Sequence, residues 1–169
     1  LAQVPVDGIA PYQRRDTGHV DASQRPTAFE YDRYVALLEC FRALKWDNNQ
    51  LHDASPFQVV DPGFNAILIR SEMALARLAG VLGEPALAER LTQRAAHAIN
   101  ALQGLWHEAL GQYACLNRRT GQLVNSGSVG GLLPLMVLPP DHAHVTPLCQ
   151  RLSHWMDKAP FGVCSMDPA

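Results

Sequence analysis

Two helix-length apolar patterns separated only by Gly83-Glu84-Pro85 constrain this chain more than any other feature of it. From Asp61 to Leu82, the residues Phe64, Ile67, Leu68, Leu75, Leu78, Ala79 and Leu82 recur at helical spacing and form a wide stripe along one side. Asp61 offers an acceptor to the first turn, Pro62 stands where a missing N–H costs nothing, and Gly83 is a natural stop. Pro85 opens the partner helix, lined by Leu87, Leu91, Ala95, Ala98, Ile99, Leu102 and Leu105. A link this short leaves the two helices one arrangement, a tight antiparallel hairpin.

The remainder follows the same grammar. Thr27-Ala28-Phe29-Glu30 has the spacing of a capping box, and Tyr31, Tyr34, Val35, Leu38, Phe41 and Leu44 continue it as a helix to about Trp46. Asp47 to Phe57 is polar and rich in turn formers. Gln112–Leu116 and Gln122–Asn125, joined through Gly121, are expected to form a short β-hairpin. Val129–Leu138 is expected to be helical despite Pro134, with Gly130 and Gly131 marking close packing, and a last helix is expected over His142–Asp157. Residues 1–26 read as an irregular arm and 27–169 as helical hairpins. The fold class is therefore all-α with one short β-hairpin insertion. No residue-level repeat of the tetratricopeptide or ankyrin kind is present.

Composition narrows the functions. Fourteen basic against sixteen acidic side chains, with no basic block, leave no electrostatic footprint for nucleic acid or an anionic membrane. Apolar runs such as Gly130–Leu138 are too short to span a bilayer. Cys40, Cys115, Cys149 and Cys164 are widely spaced in or beside apolar segments, which reads as reduced core thiols and a cytoplasmic location. The chain starts at Leu1 rather than a methionine and stops in loop-like sequence, so a fragment is expected.

The densest polar cluster is Arg14, Arg15, Asp16, His19 and Asp21, in a segment too irregular to be a solvated helix face. The plain alternative is a surface ion pair beside an exposed histidine. His142 and His144 could share a metal only with a third ligand of recognisable spacing, and none is found, so no metal or cofactor is expected. Asp61 is an adequate helix cap by itself, which leaves Asn65 and Gln58 as the hydrogen-bonding candidates of a sugar site. No nucleophile elbow, phosphate loop or dinucleotide fingerprint occurs, and no carboxylate pair stands out as catalytic.

The run Arg14-Arg15-Asp16-Thr17-Gly18-His19-Val20-Asp21, then Arg25-Pro26-Thr27 and Glu30-Tyr31-Asp32-Arg33-Tyr34, resembles bacterial glycoside hydrolases of the mannosylglycerate and glucosylglycerate hydrolase type, related to glycoside hydrolase family 63. Ser55-Pro56-Phe57, Asp61–Leu68, Leu105-Trp106, Gly111-Gln112-Tyr113, Thr120-Gly121 and Gly131–Leu135 agree in the same order. Gly18 and Gly63 stand where the resemblance leads one to expect bulkier residues.

The resemblance implies a six-hairpin α/α toroid, of which 169 residues supply less than half if a ring takes about twelve helices. It implies an inverting mechanism on a small α-glycoside such as glucosylglycerate or mannosylglycerate, with acid and base carboxylates outside residues 1–169 and the isolated chain inactive. Within the chain it assigns substrate binding to Arg15 or Arg14, beside the substrate's carboxylate, with Asp16, His19 and Asp21 along the same wall and Asn65 and Gln58 as further contacts. The rival readings are another α-glucosidase on the same fold, trehalase-like or debranching-type, and a helical interaction module without activity. A scaffold would have polar outer faces, whereas a portion of a ring leaves an apolar seam.

Overall fold

The structure, a computed structural model, describes residues 1–159 and 161–168. Contacts divide the chain into two units, Leu1–Gln58 and Val59–Ala169.

In the first unit the arm is irregular apart from one 3-10 turn, Ala22–Gln24, capped by the Asp21 carboxylate. Helix α1 (Ala28–Ala43) begins where the capping box places it. The Glu30 carboxylate accepts from the Thr27 amide at 2.8 Å and the Thr27 hydroxyl accepts from the Glu30 amide at 3.3 Å. No residue of α1 is fully buried, so its expected apolar stripe packs only partially within this unit. The chain then reverses through Lys45 and Trp46, both at positive φ, and Trp46 packs edge-on against Phe41. The segment expected to be a run of turns contains a second helix, α2 (Asn48–Ala54). Its cause is Asp47, whose carboxylate accepts from the amides of Asn49 and Gln50 and so starts a helix in polar sequence.

The second unit is built on the expected hairpin, α3 (Pro62–Val81) against α4 (Pro85–Leu102), turned at Gly83 with φ +76°. The buried face of α3 is not the wide leucine stripe. It is the line Ala66, Ile69, Glu72, Ala76 and Ala79, whose three alanines let α4 approach closely at Ala95. Phe64, Ile67, Leu68, Leu75, Leu78 and Leu82 lie on the opposite side and are each more than half exposed, Phe64 at 77% and Leu82 at 70%. Periodicity identified the helix correctly but assigned the core to the wrong face, because α3 is apolar on both.

The second unit is also less purely helical than expected, with five short strands among its described residues. Strands β1 (Val59–Val60), β4 (Leu116–Asn117) and β5 (Gln122–Leu123) make an antiparallel sheet in the order β1-β4-β5. The expected hairpin survives as β4–β5 with Leu116 opposite Leu123. Gln112 and Tyr113 belong instead to β3 and pair with β2 (Trp106–His107). The region Val129–Leu138 is not an α-helix but two 3-10 turns, Val129–Gly131 and Leu133–Met136. Pro134 lacks the amide an α-helix needs there, and the amides of Gly131 and Leu132 bond three residues back, to Ser128 and Val129. Helix α5 begins three residues late, at Val145, and runs to Lys158. α4 ends at Leu102 and tightens into a 3-10 turn, Gln103–Leu105.

These pieces meet at three glycines. A Cβ on Gly63 would stand 2.8 Å from the Gly130 Cα, and a Cβ on Gly131 would overlap the Tyr113 carbonyl oxygen. The expectation of close packing at Gly130-Gly131 is met, and Gly63, where a bulkier residue was expected, has no room for one. Next to them the buried Gln112 side chain accepts from Arg151 Nε of α5 at 2.7 Å and donates to the Ser128 carbonyl at 3.1 Å. Arg151 also pairs with Asp167, which brings the chain's last described residues onto the same loop. Leu148 and Trp155 of α5, both fully buried, close the core with Ile69, Leu102, Tyr113 and Leu132.

Gly131→Ala is expected to lower stability by about 2–4 kcal/mol, the cost of forcing backbone apart in a packed interior. Gly80→Ala, where nothing lies within 4 Å on a helical backbone, is expected to be neutral or to stabilise by up to about 1 kcal/mol. Urea denaturation of the two variants measures both.

Candidate functional site

The polar arm holds the geometry that sequence alone left open between Arg14 and Arg15. Arg14 is bound to Asp16 through two parallel bonds, Nε to Oδ1 at 3.0 Å and Nη2 to Oδ2 at 2.6 Å. Its guanidinium also lies over the Tyr31 ring, 4.4 Å from the centroid. The pairing holds the Asp16 carboxyl below its usual range, first through the Arg14 hydrogen bond, and raises Arg14 through the same bond. Arg14 is therefore an internally neutralised, half-buried strut. Arg15 is exposed, and among the described residues its guanidinium has no hydrogen-bond or ion-pair partner.

The other arm candidates divide in the same way. The Asp21 carboxylate accepts from the Ser23 amide at 2.8 Å and the Ser23 hydroxyl at 2.7 Å, which lowers its pKa and occupies it as a cap. His19 is exposed. The Gln58 side chain donates to the His52 carbonyl at the end of the first unit and makes no hydrogen bond with the arm. In the second unit Asn65 lies in the first turn of α3, its amide donating to the Asp61 carbonyl at 2.8 Å. Asp61 caps the Phe64 amide at 2.7 Å as expected. Its second carboxylate oxygen accepts from the Cys115 thiol, and burial together with that acid pushes the thiol up to about 11. All four cysteines are free, but none is fully buried and Cys149 is exposed.

Four residues join the arm that the sequence reading did not assign to it as binding groups, Tyr12, Arg25, Tyr31 and Asp32, the last three of which carry the family resemblance. Tyr12 stacks on Tyr31 with centroids 5.6 Å apart and donates from its hydroxyl to Asp32 at 2.6 Å. That bond to a carboxylate favours the neutral phenol and raises its pKa to about 12. Arg25 Nε donates to the Asp16 carbonyl at 3.2 Å. A signal was present in the sequence. Tyr12, Arg14 and Asp16 are alternate residues of a non-helical segment, which share one side, and Arg15 falls on the other.

Among the described residues no three metal-ligating side chains converge, and no helix is long and apolar enough to cross a membrane.

The helical hairpin and the arm are those of a glycoside hydrolase domain. The chain belongs to the family described as "Mannosylglycerate hydrolase MGH1-like glycoside hydrolase domain", whose model matches residues 2–169. It is 38% identical over 168 residues to mannosylglycerate hydrolase MGH1 of Selaginella moellendorffii, covering 99% of this chain and 34% of that protein. It is 36% identical over the same length to a mannosylglycerate hydrolase of Thermus thermophilus, where it covers 40%. A crystal structure of a glycoside hydrolase family 63 mannosylglycerate hydrolase from Thermus thermophilus, in complex with Tris and D-glycerate, superposes with a TM-score of 0.88 at 36% identity, over 99% of this chain and 40% of that one. The chain thus spans little more than a third of the length of these relatives.

Arg14→Gln is expected to return the Asp16 titration toward the ordinary carboxylate value, while Arg15→Gln leaves it unmoved, as read by NMR of the aspartate side chains. Because the folded pKa of Asp16 is depressed, the pair supports the fold above the unfolded carboxylate pKa, and the support fades as pH falls through the folded one.

Proposed function

We propose that this chain is part of a single α/α-toroid glycoside hydrolase domain that removes a sugar, with inversion, from a small glycoside of glycerate such as mannosylglycerate or glucosylglycerate. The observation that carries the reading is the match of the whole chain, at 36% identity and a TM-score of 0.88, to a mannosylglycerate hydrolase in complex with D-glycerate. Inversion requires one carboxylic acid to protonate the leaving oxygen while a second carboxylate activates water on the opposite face. The family resemblance puts both carboxylates outside residues 1–169, and on this reading the isolated chain is inactive.

What this chain contributes is recognition of the acidic aglycone. A glycerate carboxylate needs a cation that is not already spent. Arg14 is neutralised by Asp16, whereas Arg15 keeps its charge and its fork of donors free. Asp16, holding Arg14 against Tyr31, keeps this wall in place, with His19 and Asp21 beside it. Asn65 and Gln58 already donate to backbone carbonyls, which leaves their amide oxygens for sugar hydroxyls. The free thiols fit a reducing, cytoplasmic compartment. No cofactor enters this reaction.

The apolar side of α3 supports the toroid over a free-standing interaction module. An unpartnered row from Phe64 to Leu82 is unsuited to a solvated scaffold face and suits a helix that packs between two neighbours. Residues 1–169 alone are expected to bind a hydrophobic dye strongly, and Leu75→Glu with Leu78→Glu to reduce that binding without unfolding α3. A polar, non-binding chain would favour the module.

The decisive assay is release of sugar from mannosylglycerate, glucosylglycerate and trehalose by the full-length parent. Activity on trehalose alone would favour the rival α-glucosidase reading. In the same protein Arg15→Ala is expected to raise KM for the glycerate glycoside by about tenfold to a hundredfold, the loss of one charge-assisted pair. Arg118→Ala, at the tip of the β4–β5 hairpin, is expected to change it less than about twofold. Equal kinetics for both would remove Arg15 from the site.

A further inference from the structure

The approach to α5 holds a cluster that the hydrolytic reading does not use. His144, at the N-cap of α5, stacks face to face on Trp106 of β2, with ring centroids 3.7 Å apart and planes within 9°. Its Nδ1 lies 3.0 Å from the Tyr113 hydroxyl, which donates onward to Gln103 Oε1 at 3.4 Å. The Trp106 indole N–H is itself fixed by Glu108 at 2.7 Å. His142 faces the His144 ring edge-on at 4.9 Å, and its Nδ1 accepts the backbone amide of His144 at 3.1 Å.

This last bond decides the chemistry. An imidazole nitrogen accepts a hydrogen bond only while it carries a lone pair, so His142 caps the start of α5 only when neutral. A proton on Nδ1 removes the acceptor, frees the His144 amide and places a cation at the positive end of a helix dipole. A second proton on His144 sets two like charges 4.9 Å apart. We propose that His142 and His144 form a proton-operated latch on α5, closed while both rings are neutral and released when they are protonated.

The groups facing His144 are known. His142 opposes its charge, Glu108 favours it, and Tyr113 bonds to it in either state. Partial burial and His142 lower its pKa more than Glu108 raises it. Because the folded value is depressed, the stabilisation is full above the unfolded histidine pKa and falls away as pH drops below it. Both rings are half-buried, which admits protons, whereas Leu148 and Trp155 further along α5 are fully buried. Release at the N-terminus therefore loosens a helix that covers the core of its unit.

The test is hydrogen exchange of the full chain at about pH 7.5 and about pH 5, expressed as protection relative to intrinsic rates, with α3 as internal reference. α5 is expected to lose about tenfold in protection at the lower pH while α3 does not. His142→Asn supplies an acceptor that does not titrate, and His144→Phe keeps the stack on Trp106 without a charge. Each variant alone is expected to retain more of α5's protection at the lower pH than the native chain, and the pair together nearly all of it. Equal loss in native and variant chains, or no selective loss from α5 in the native chain, would overturn the latch.

Discussion

The close approach of backbone at Gly63, Gly130 and Gly131 is the constraint on which the second unit depends. It brings the start of α3, the two 3-10 turns and strand β3 into contact at distances no side chain permits. With the backbones this near, Gln112 reaches both Ser128 and Arg151 and so ties the turns to α5. Two partners of that buried amide, the Tyr113 and Ser128 carbonyls, belong to the segments that approach at Gly131 and Gly130. A Cβ at Gly63 or Gly131 would force these backbones apart and strain the hydrogen bonds of the buried Gln112 amide.

The two units show different ways of holding polar groups. In the arm, side chains pair with one another locally, Arg14 as an ion pair with Asp16 and the neutral Tyr12 hydroxyl as a donor to Asp32, over an aromatic surface provided by Tyr31. In the second unit, polar side chains mainly serve backbone: Asp61 caps α3, Asn65 returns to Asp61, and Gln112 closes the Ser128 turn. This difference is why Arg15 stands out. Arg14 beside it is matched by Asp16, whereas Arg15 lies exposed and has no ion-pair partner among the described residues.

Much of the fold was legible because its signals are local. The capping box at Thr27 and Glu30, the Asp61-Pro62 start and the Gly83-Glu84-Pro85 link each act over a few residues, and all three stand where the sequence places them. What escaped is non-local or ambiguous. β1 pairs with β4 across more than fifty residues, and two-residue strands leave no period to detect. Helix α2 has no apolar stripe at all and rests on one aspartate. The buried side of α3 could not be chosen from periodicity, since alanine and leucine sides both read as apolar. In the arm, the cluster of polar residues was visible, but which arginine pairs with Asp16 required knowing where that carboxylate points.

The α3–α4 hairpin has a kinetic consequence. Its contacts join residues close in sequence across a three-residue turn, so it can form as soon as both helices have left the ribosome, before β4 has emerged to meet β1. A hairpin completed so early presents the leucines of its outer face to solvent for the remainder of synthesis. The order in which the polypeptide emerges thus sets how long that surface stays uncovered.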